Sequence, residues 1–298
     1  MKRIAIAIAA ASLLMAPGMF ALPSCTWTAV PTNINFGNYS VFGPAITGNS
    51  TFSINCVPPA TGNVLLSTGG AGSFTRHLTK SAAPAGTLGY NLYRDAAGTI
   101  VWGDGTSGTQ YFSFTATPGN KDVINMPIYG IIPANLDGPP GTYTDTIQAT
   151  LSGTWGSISQ FFTVTATILA ECNVATSPLN FGNYDPVSAN STAPLDATTV
   201  VNVYCTAQTA VSVALDNGQW VTGSTRRLKS AAGNFLNYEM YKDSARSVVW
   251  NATSTNNGTS TSKSVPINSG FTVYGRVQAG QDIPAGSYGD TVTVTVNY

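Results

Sequence analysis

The sequence predicts an all-β protein of two sandwich domains, and three observations carry that prediction. Short runs that alternate polar and apolar residues recur along the chain, separated by Gly, Pro, Asn and Asp, with no long amphipathic helical pattern between them. Charged residues make up only 9% of the 298, whereas Gly, Thr, Ser and Ala abound. The third observation is an internal repeat: one unit of about 145 residues is written twice.

The chain opens on an address. Lys2 and Arg3 precede the apolar run from Ile4 to Leu14, which Pro17 and Gly18 break ahead of small residues. Such a stretch reads as a secretory signal peptide, residues 1–21, cleaved after Ala21 or after Gly18. The later apolar runs are interrupted by Thr, Ser or Asn, short of a membrane span. Roughly 275 mature residues suit two domains, 22–170 and 171–298. With the leader removed, 11 basic residues face 13 acidic ones without runs of either sign, which argues against a nucleic acid or an anionic membrane as partner.

Four cysteines, Cys25, Cys56, Cys172 and Cys205, enter an oxidising compartment, where disulfides persist. Three pairings are open to them. The repeat favours one bridge per domain, Cys25 to Cys56 and Cys172 to Cys205, each closing a loop worth about 3 to 4 kcal/mol in chain entropy. A zinc-type site is disfavoured: no two cysteines lie within a few positions of each other and His77 is the sole histidine.

The repeat is dense. Asn35-Phe36-Gly37-Asn38-Tyr39 answers Asn180-Phe181-Gly182-Asn183-Tyr184, Arg76 answers Arg226, Tyr90 answers Tyr238, and Trp102 answers Trp250. Ile128-Tyr129-Gly130 matches Val273-Tyr274-Gly275, and Gly141-Thr142-Tyr143-Thr144-Asp145 matches Gly286-Ser287-Tyr288-Gly289-Asp290. Across these pairs the offset stays between 145 and 150 positions.

In the first copy the alternating runs predict strands near 33–36, 50–56, 63–66, 88–94, 99–102, 111–116, 123–132, 143–151 and 158–169. That many short strands in one copy suggests an immunoglobulin-like sandwich, with Phe36, Tyr90 and Trp102 as core or corner residues. The copies differ at their ends. After Leu151 a turn from Ser152 to Gly156 leads into a second alternating run, Ile158 to Ala170, in which Phe162, Val164, Ala166 and Ile168 share one face; nothing follows Tyr298. The first sandwich is thus expected to close itself, and the second to lack its last strand. Its open groove would be lined by Val292, Val294 and Val296, ready for a strand from another chain.

The early Cys followed by Asn-Phe-Gly-x-Tyr, the second Cys, Arg-x-Leu, Tyr-x-x-Tyr-x-Asp and the closing Pro-x-Gly-x-Tyr-x-Asp-Thr strand resemble the spore coat protein U family. The best understood members of that family are subunits of archaic, Csu-type chaperone-usher pili, and the resemblance covers nearly the whole mature chain twice over. It implies pilin-type sandwiches completed first by a periplasmic chaperone and then, at the outer-membrane usher, by the N-terminal donor strand of the next subunit. A donor strand needs roughly ten residues at about 3.3 Å each, more than the three to six expected before Cys25. The expected place is therefore the pilus tip, on the cell surface after export through the periplasm. The expected role is that of a tip adhesin attaching to an abiotic or host surface and promoting biofilm.

Family tip adhesins attach through exposed hydrophobic loops, which directs attention to the distal end of the first sandwich. If the closing strand ends at Ala170 by the junction, the turn holding Thr154 and Trp155 sits at the far end, and in an immunoglobulin-like order the loop Val57-Pro58-Pro59-Ala60 lies beside it. Trp155 is the first candidate, with Thr154, Val57, Pro58 and Pro59 around it; Trp155 folded over its own sandwich edge is the competing arrangement. Phe42, in the loop Ser40 to Pro44, is a further candidate.

An enzyme is not expected, nor any cofactor. His77 aligns with Arg227, at a strand end and without a nucleophile motif. Asp145 and Asp290 occupy equivalent sites in separate domains rather than one cleft, and they suit turn hydrogen bonds. Two alternatives stand beside the adhesin: a structural subunit or coat component of the same family, and a lectin or carbohydrate-active enzyme on a β-sandwich.

Overall fold

The computed structural model describes residues 24–57, 60–117 and 124–298. The expected leader and the pair Pro58-Pro59 lie outside the described residues. Eleven strands form the first half: β1 (Ser24–Ala29), β2 (Ile34–Tyr39), β3 (Ile46–Val57), β4 (Ala60–Leu66), β5 (His77–Lys80), β6 (Gly86–Gly89), β7 (Asn91–Tyr93), β8 (Phe112–Ala116), β9 (Ile124–Ile132), β10 (Gly141–Gly153) and β11 (Gly156–Ile168). One sheet runs β1-β3-β9-β7; the other runs β2-β11-β10-β4-β8, with the β5-β6 hairpin attached at β10. Alternate residues of both sheets meet in one core that holds Phe52, Ile54, Leu92, Trp102, Tyr143, Phe162 and Val164, as expected of two packed β-sheet layers. Cys25 and Cys56 are disulfide-bonded across the β1–β3 pair.

Two expected strands depart from this pattern for a topological reason. The run 88–94 is divided at Tyr90, because β6 pairs with β5 in one sheet and β7 with β9 in the other. The run 99–102 forms only isolated bridges, Tyr93 to Val101 and Trp102 to Gln110. There the indole of Trp102 is buried and its Nε1 donates to the carbonyl of Val64 at 3.0 Å, so core packing rather than a ladder holds the segment.

The second half repeats the plan with β12 (Cys172–Thr176), β13 (Leu195–Cys205), β14 (Ala210–Leu215), β15 (Arg226–Ser230), β16 (Phe235–Tyr241), β17 (Asn256–Thr259), β18 (Phe271–Val277), β19 (Tyr288–Gly289) and β20 (Val294–Asn297). Its sheets are β12-β13-β18-β16-β15-β19 and β17-β14-β20, around a separate core built on Trp250, Val203, Val213 and Val277. Cys172 and Cys205 are disulfide-bonded. Among the described residues no strand ladder joins the two halves.

The halves differ where the first has β11. In the first, β10 is one unbroken strand, paired residue by residue with β11 from Gly141 opposite Ile168 to Gly153 opposite Gly156. In the second, the corresponding stretch is broken into β19 and β20, with Asp290 to Thr293 outside any strand. Backbone amides without a ladder partner turn to other acceptors: Thr293 donates its N–H to the Asp216 carboxylate at 3.0 Å.

The junction is polar and direct. The Asp137 carboxylate, in the β9–β10 connection, accepts from the backbone N–H of Lys263 at 2.7 Å and of Ala207 at 3.2 Å. The Ser40 hydroxyl donates to Glu171 at 2.6 Å, and the Lys263 ammonium donates to the carbonyl of Val41.

Candidate functional site

Two places carry the functional expectations, the open edge of the second sandwich and the distal loops of the first. At the open edge, β20 pairs with β14 on one side and, among the described residues, with no strand on the other. The residues that answer β2, around Leu179 to Tyr184, form no strand either. In the first sandwich β2 is held by its parallel pairing with β11, from Ile34 opposite Val164 to Tyr39 opposite Ile168. With no strand in the equivalent place, a cleft of about 830 Å³ remains. Leu179, Phe181, Tyr184, Ile283 and Tyr288 line it, with Leu228, Leu236 and Val277 among the other lining side chains.

Exposure follows the same division. Ile34, Tyr39, Leu78 and Tyr143 are completely buried, whereas their counterparts Leu179, Tyr184, Leu228 and Tyr288 are half-buried. Val292, Val294 and Val296 are also half-buried and pack against the second core from the open edge. The main cleft, however, lies beside Ile283 to Asp290, before these valines in the chain, and its lining does not include them.

At the far end of the first sandwich, the register places the two expected loops together. Gly153, next to the β10–β11 turn, pairs with Gly62, and β4 begins two residues earlier at Ala60. Val57 is 47% exposed and Thr154 is exposed. Trp155 takes the folded-down arrangement. Its indole packs on Phe114, with ring centroids 6.4 Å apart, and lies so close over Gly153 and Gly62 that a Cβ at either would stand 2.1 and 2.6 Å from ring atoms. Only small residues there let the ring lie flat on the sheet. The side chain is half-buried and its Nε1 has no hydrogen-bond partner among the described residues.

Phe42 lies at the other end. The loop Ser40 to Pro44 follows Tyr39, which pairs with Ile168 at the junction end, and Ser40 and Val41 bond to Glu171 and Lys263 of the second half. Phe42, 37% exposed, therefore sits at the opposite end from Trp155.

The Spore Coat Protein U domain model matches residues 10–150 and again 158–295. The chain belongs to that family. A curated relative, "Protein U" of Myxococcus xanthus, is 36% identical over 129 residues, which is 40% of this chain and 71% of that protein. Among solved structures, a chain of the CsuC-CsuE chaperone-tip adhesion subunit pre-assembly complex from archaic chaperone-usher Csu pili of Acinetobacter baumannii aligns over 92% of this spore coat U chain and 100% of its own. The alignment has a TM-score of 0.50 and 18% identity, a likeness of fold.

Other residues of this spore coat U chain turn out structural. Asp145 accepts from the Tyr90 hydroxyl at 2.7 Å and from the N–H of Gly70 at 2.9 Å; Asp290 does the same with Tyr238 at 2.8 Å and Gln219 at 2.9 Å. Burial and the adjoining carboxylate keep both tyrosine hydroxyls protonated well above the ordinary value of 10.0. His77 opens β5, half-buried opposite Gly89. Sequence reasoning missed the cleft residues Leu179, Phe181, Tyr184 and Ile283, although Phe181 and Tyr184 stand in the most visible repeated motif.

Proposed function

We propose that this protein is the tip adhesin of an archaic chaperone-usher pilus. Its second sandwich accepts a donor strand, and its first sandwich carries adhesion at the distal loops. The observation that carries the reading is the position of β11. The second family match opens at residue 158, so the strand that fills the first sandwich belongs, by family register, to the leading segment of the second unit. A unit whose leading segment completes the unit before it is strand donation within one chain. The second unit then presents the same unmet need, an edge beside β20 and a cleft of about 830 Å³.

On this reading a periplasmic chaperone fills the cleft during export, an outer-membrane usher exchanges it for the donor strand of the next subunit, and the finished protein sits at the fibre end. A first sandwich already closed by β11 needs no second donor, which supports a terminal place. Adhesion to abiotic or host surfaces, and with it biofilm formation, falls to Val57, Pro58, Pro59, Thr154 and Trp155. The Trp155 ring lying on its own sheet favours the rival, a non-adhesive structural subunit or coat protein of the same family.

The deciding experiment replaces Val57 and Trp155 by Ser and Ala in assembled fibres and measures attachment to hydrophobic and glass surfaces. Intact fibres with attachment reduced at least about tenfold support the adhesin; intact fibres with unchanged attachment favour the structural subunit. Failure of the wild-type chain to form a complex with its chaperone overturns the strand-acceptor role.

A further inference from the structure

The two halves are one fold with and without its last strand, so the filled half is a template for what the empty one takes. In the first sandwich β11 sets Phe162, Val164, Ala166 and Ile168 opposite Ile147, Asp145, Tyr143 and Gly141. All four side chains are buried, at 2%, 0%, 1% and 1% exposure. The repeat carries these positions to Val292, Asp290, Tyr288 and Gly286. The last three line the cleft, together with Leu179, Phe181 and Tyr184, the counterparts of Ile34, Phe36 and Tyr39 that flank β11.

One wall differs. Where the first sandwich has Gly138, the second has Ile283. A Cβ added at Gly138 would stand 3.0 Å from the Tyr143 hydroxyl oxygen and 3.3 Å from Cδ1 of Ile168, so the glycine leaves room that the tyrosine hydroxyl and the isoleucine end share. In the second sandwich the whole Ile283 side chain occupies that wall, half-buried, lining the cleft and packed against the core. A close-packed interior does not hold both branched side chains in one space.

Resting on the strand-acceptor reading above, we propose that Ile283 sets the sequence selectivity of the cleft. It admits a strand whose residue opposite Gly286 is alanine-sized and disfavours one with isoleucine there. The rest of the pattern follows the template: a small residue opposite Tyr288, as Ala166 is to Tyr143; a β-branched one opposite Asp290; and a large one opposite Val292, which is a methylene shorter than Ile147.

The test uses the full mature chain and labelled synthetic peptides of residues 157–169, with the native sequence, with Ile168→Ala and with Ala166→Leu. Binding is read by fluorescence polarisation and located by hydrogen exchange of amides 287–293. The Ile168→Ala peptide is expected to bind on the order of tenfold tighter than the native one. In the Ile283→Gly chain that preference is lost or reversed, with Ile283→Ala as a second, less perturbing variant. The Ala166→Leu peptide is expected to bind weakly to every chain. Equal binding of the native and Ile168→Ala peptides to wild type, or an unchanged preference in both variants, overturns the role of Ile283 while leaving the strand-acceptor reading standing. Absence of binding by every peptide overturns that reading and this proposal together.

Discussion

Ile147 of β10 and Phe162 of β11 stand opposite each other in an unbroken ladder, and both are buried. Val292, the repeat counterpart of Ile147, lies outside any strand and is half-buried. The same backbone position is thus a core position in one half and a rim position in the other, the difference being a single neighbouring strand.

Phe162→Ala should therefore cost about 3 to 5 kcal/mol of first-sandwich stability, through lost burial and the cavity left behind. Val292→Ala should cost about 1 kcal/mol in the free chain, where the side chain still meets water. Denaturant melts followed separately for the two halves check this, and equal costs would contradict an open second sandwich.

Alkali should loosen both halves. Tyr90 and Tyr238 are raised above the usual tyrosine value, first by burial and then by the hydrogen-bonded Asp145 and Asp290; burial, with the charge of Asp137 behind it, pushes Tyr143 up to about 12. The unfolded chain sheds these protons near pH 10 and the folded one holds them, so this stability is complete below about pH 10 and falls as the pH climbs toward 12 and beyond. Absorbance titration of the phenolates alongside circular dichroism should show a late set ionising together with unfolding. Tyr90→Phe, which removes one such group and strips Asp145 of a donor, should cost about 1 to 3 kcal/mol at neutral pH and flatten the alkaline slope.

The seat of Trp155 offers a third handle. Gly153→Ala would drive a methyl into the indole, which has no room to stay where it is. The ring should swing into solvent, with a red-shifted component in the emission spectrum and a loss of about 1 to 3 kcal/mol. If the indole makes the adhesive contact, attachment should rise; if the ring is only a lid on Phe114, attachment should stay level while stability drops.

Asp137 ties the halves together by two backbone amides of the second. Asp137→Ala should leave the Lys263 and Ala207 N–H groups unpaired or wet, and the angle between the halves should broaden in small-angle scattering. Each half should keep its own melting midpoint within a few degrees, since neither core contains Asp137.

Much of this was legible beforehand in particular residues. The alternation of Phe162, Val164, Ala166 and Ile168 gave away a half-buried strand, and the repeat paired the cysteines. Their bridges join residues 31 and 33 apart. Tyr90 was not legible as a break, because a strand that changes sheets keeps its alternation. The side of Phe42 was not legible either, since it depends on β2 running parallel to β11 and so ending at the junction. Ile283 was hidden because its meaning appears only beside Gly138 and the side chain that glycine admits.

By itself, the order of residues determined that one sandwich is written twice and that an alternating strand follows the first copy, because periodicity and repetition are properties of neighbours along the chain. Tertiary structure decided which loops share an end, whether the Trp155 ring lies down or stands out, and where the open edge widens into a cleft. Those outcomes depend on strand register and on the space left between side chains far apart in the chain, which close packing settles only once the strands are in place.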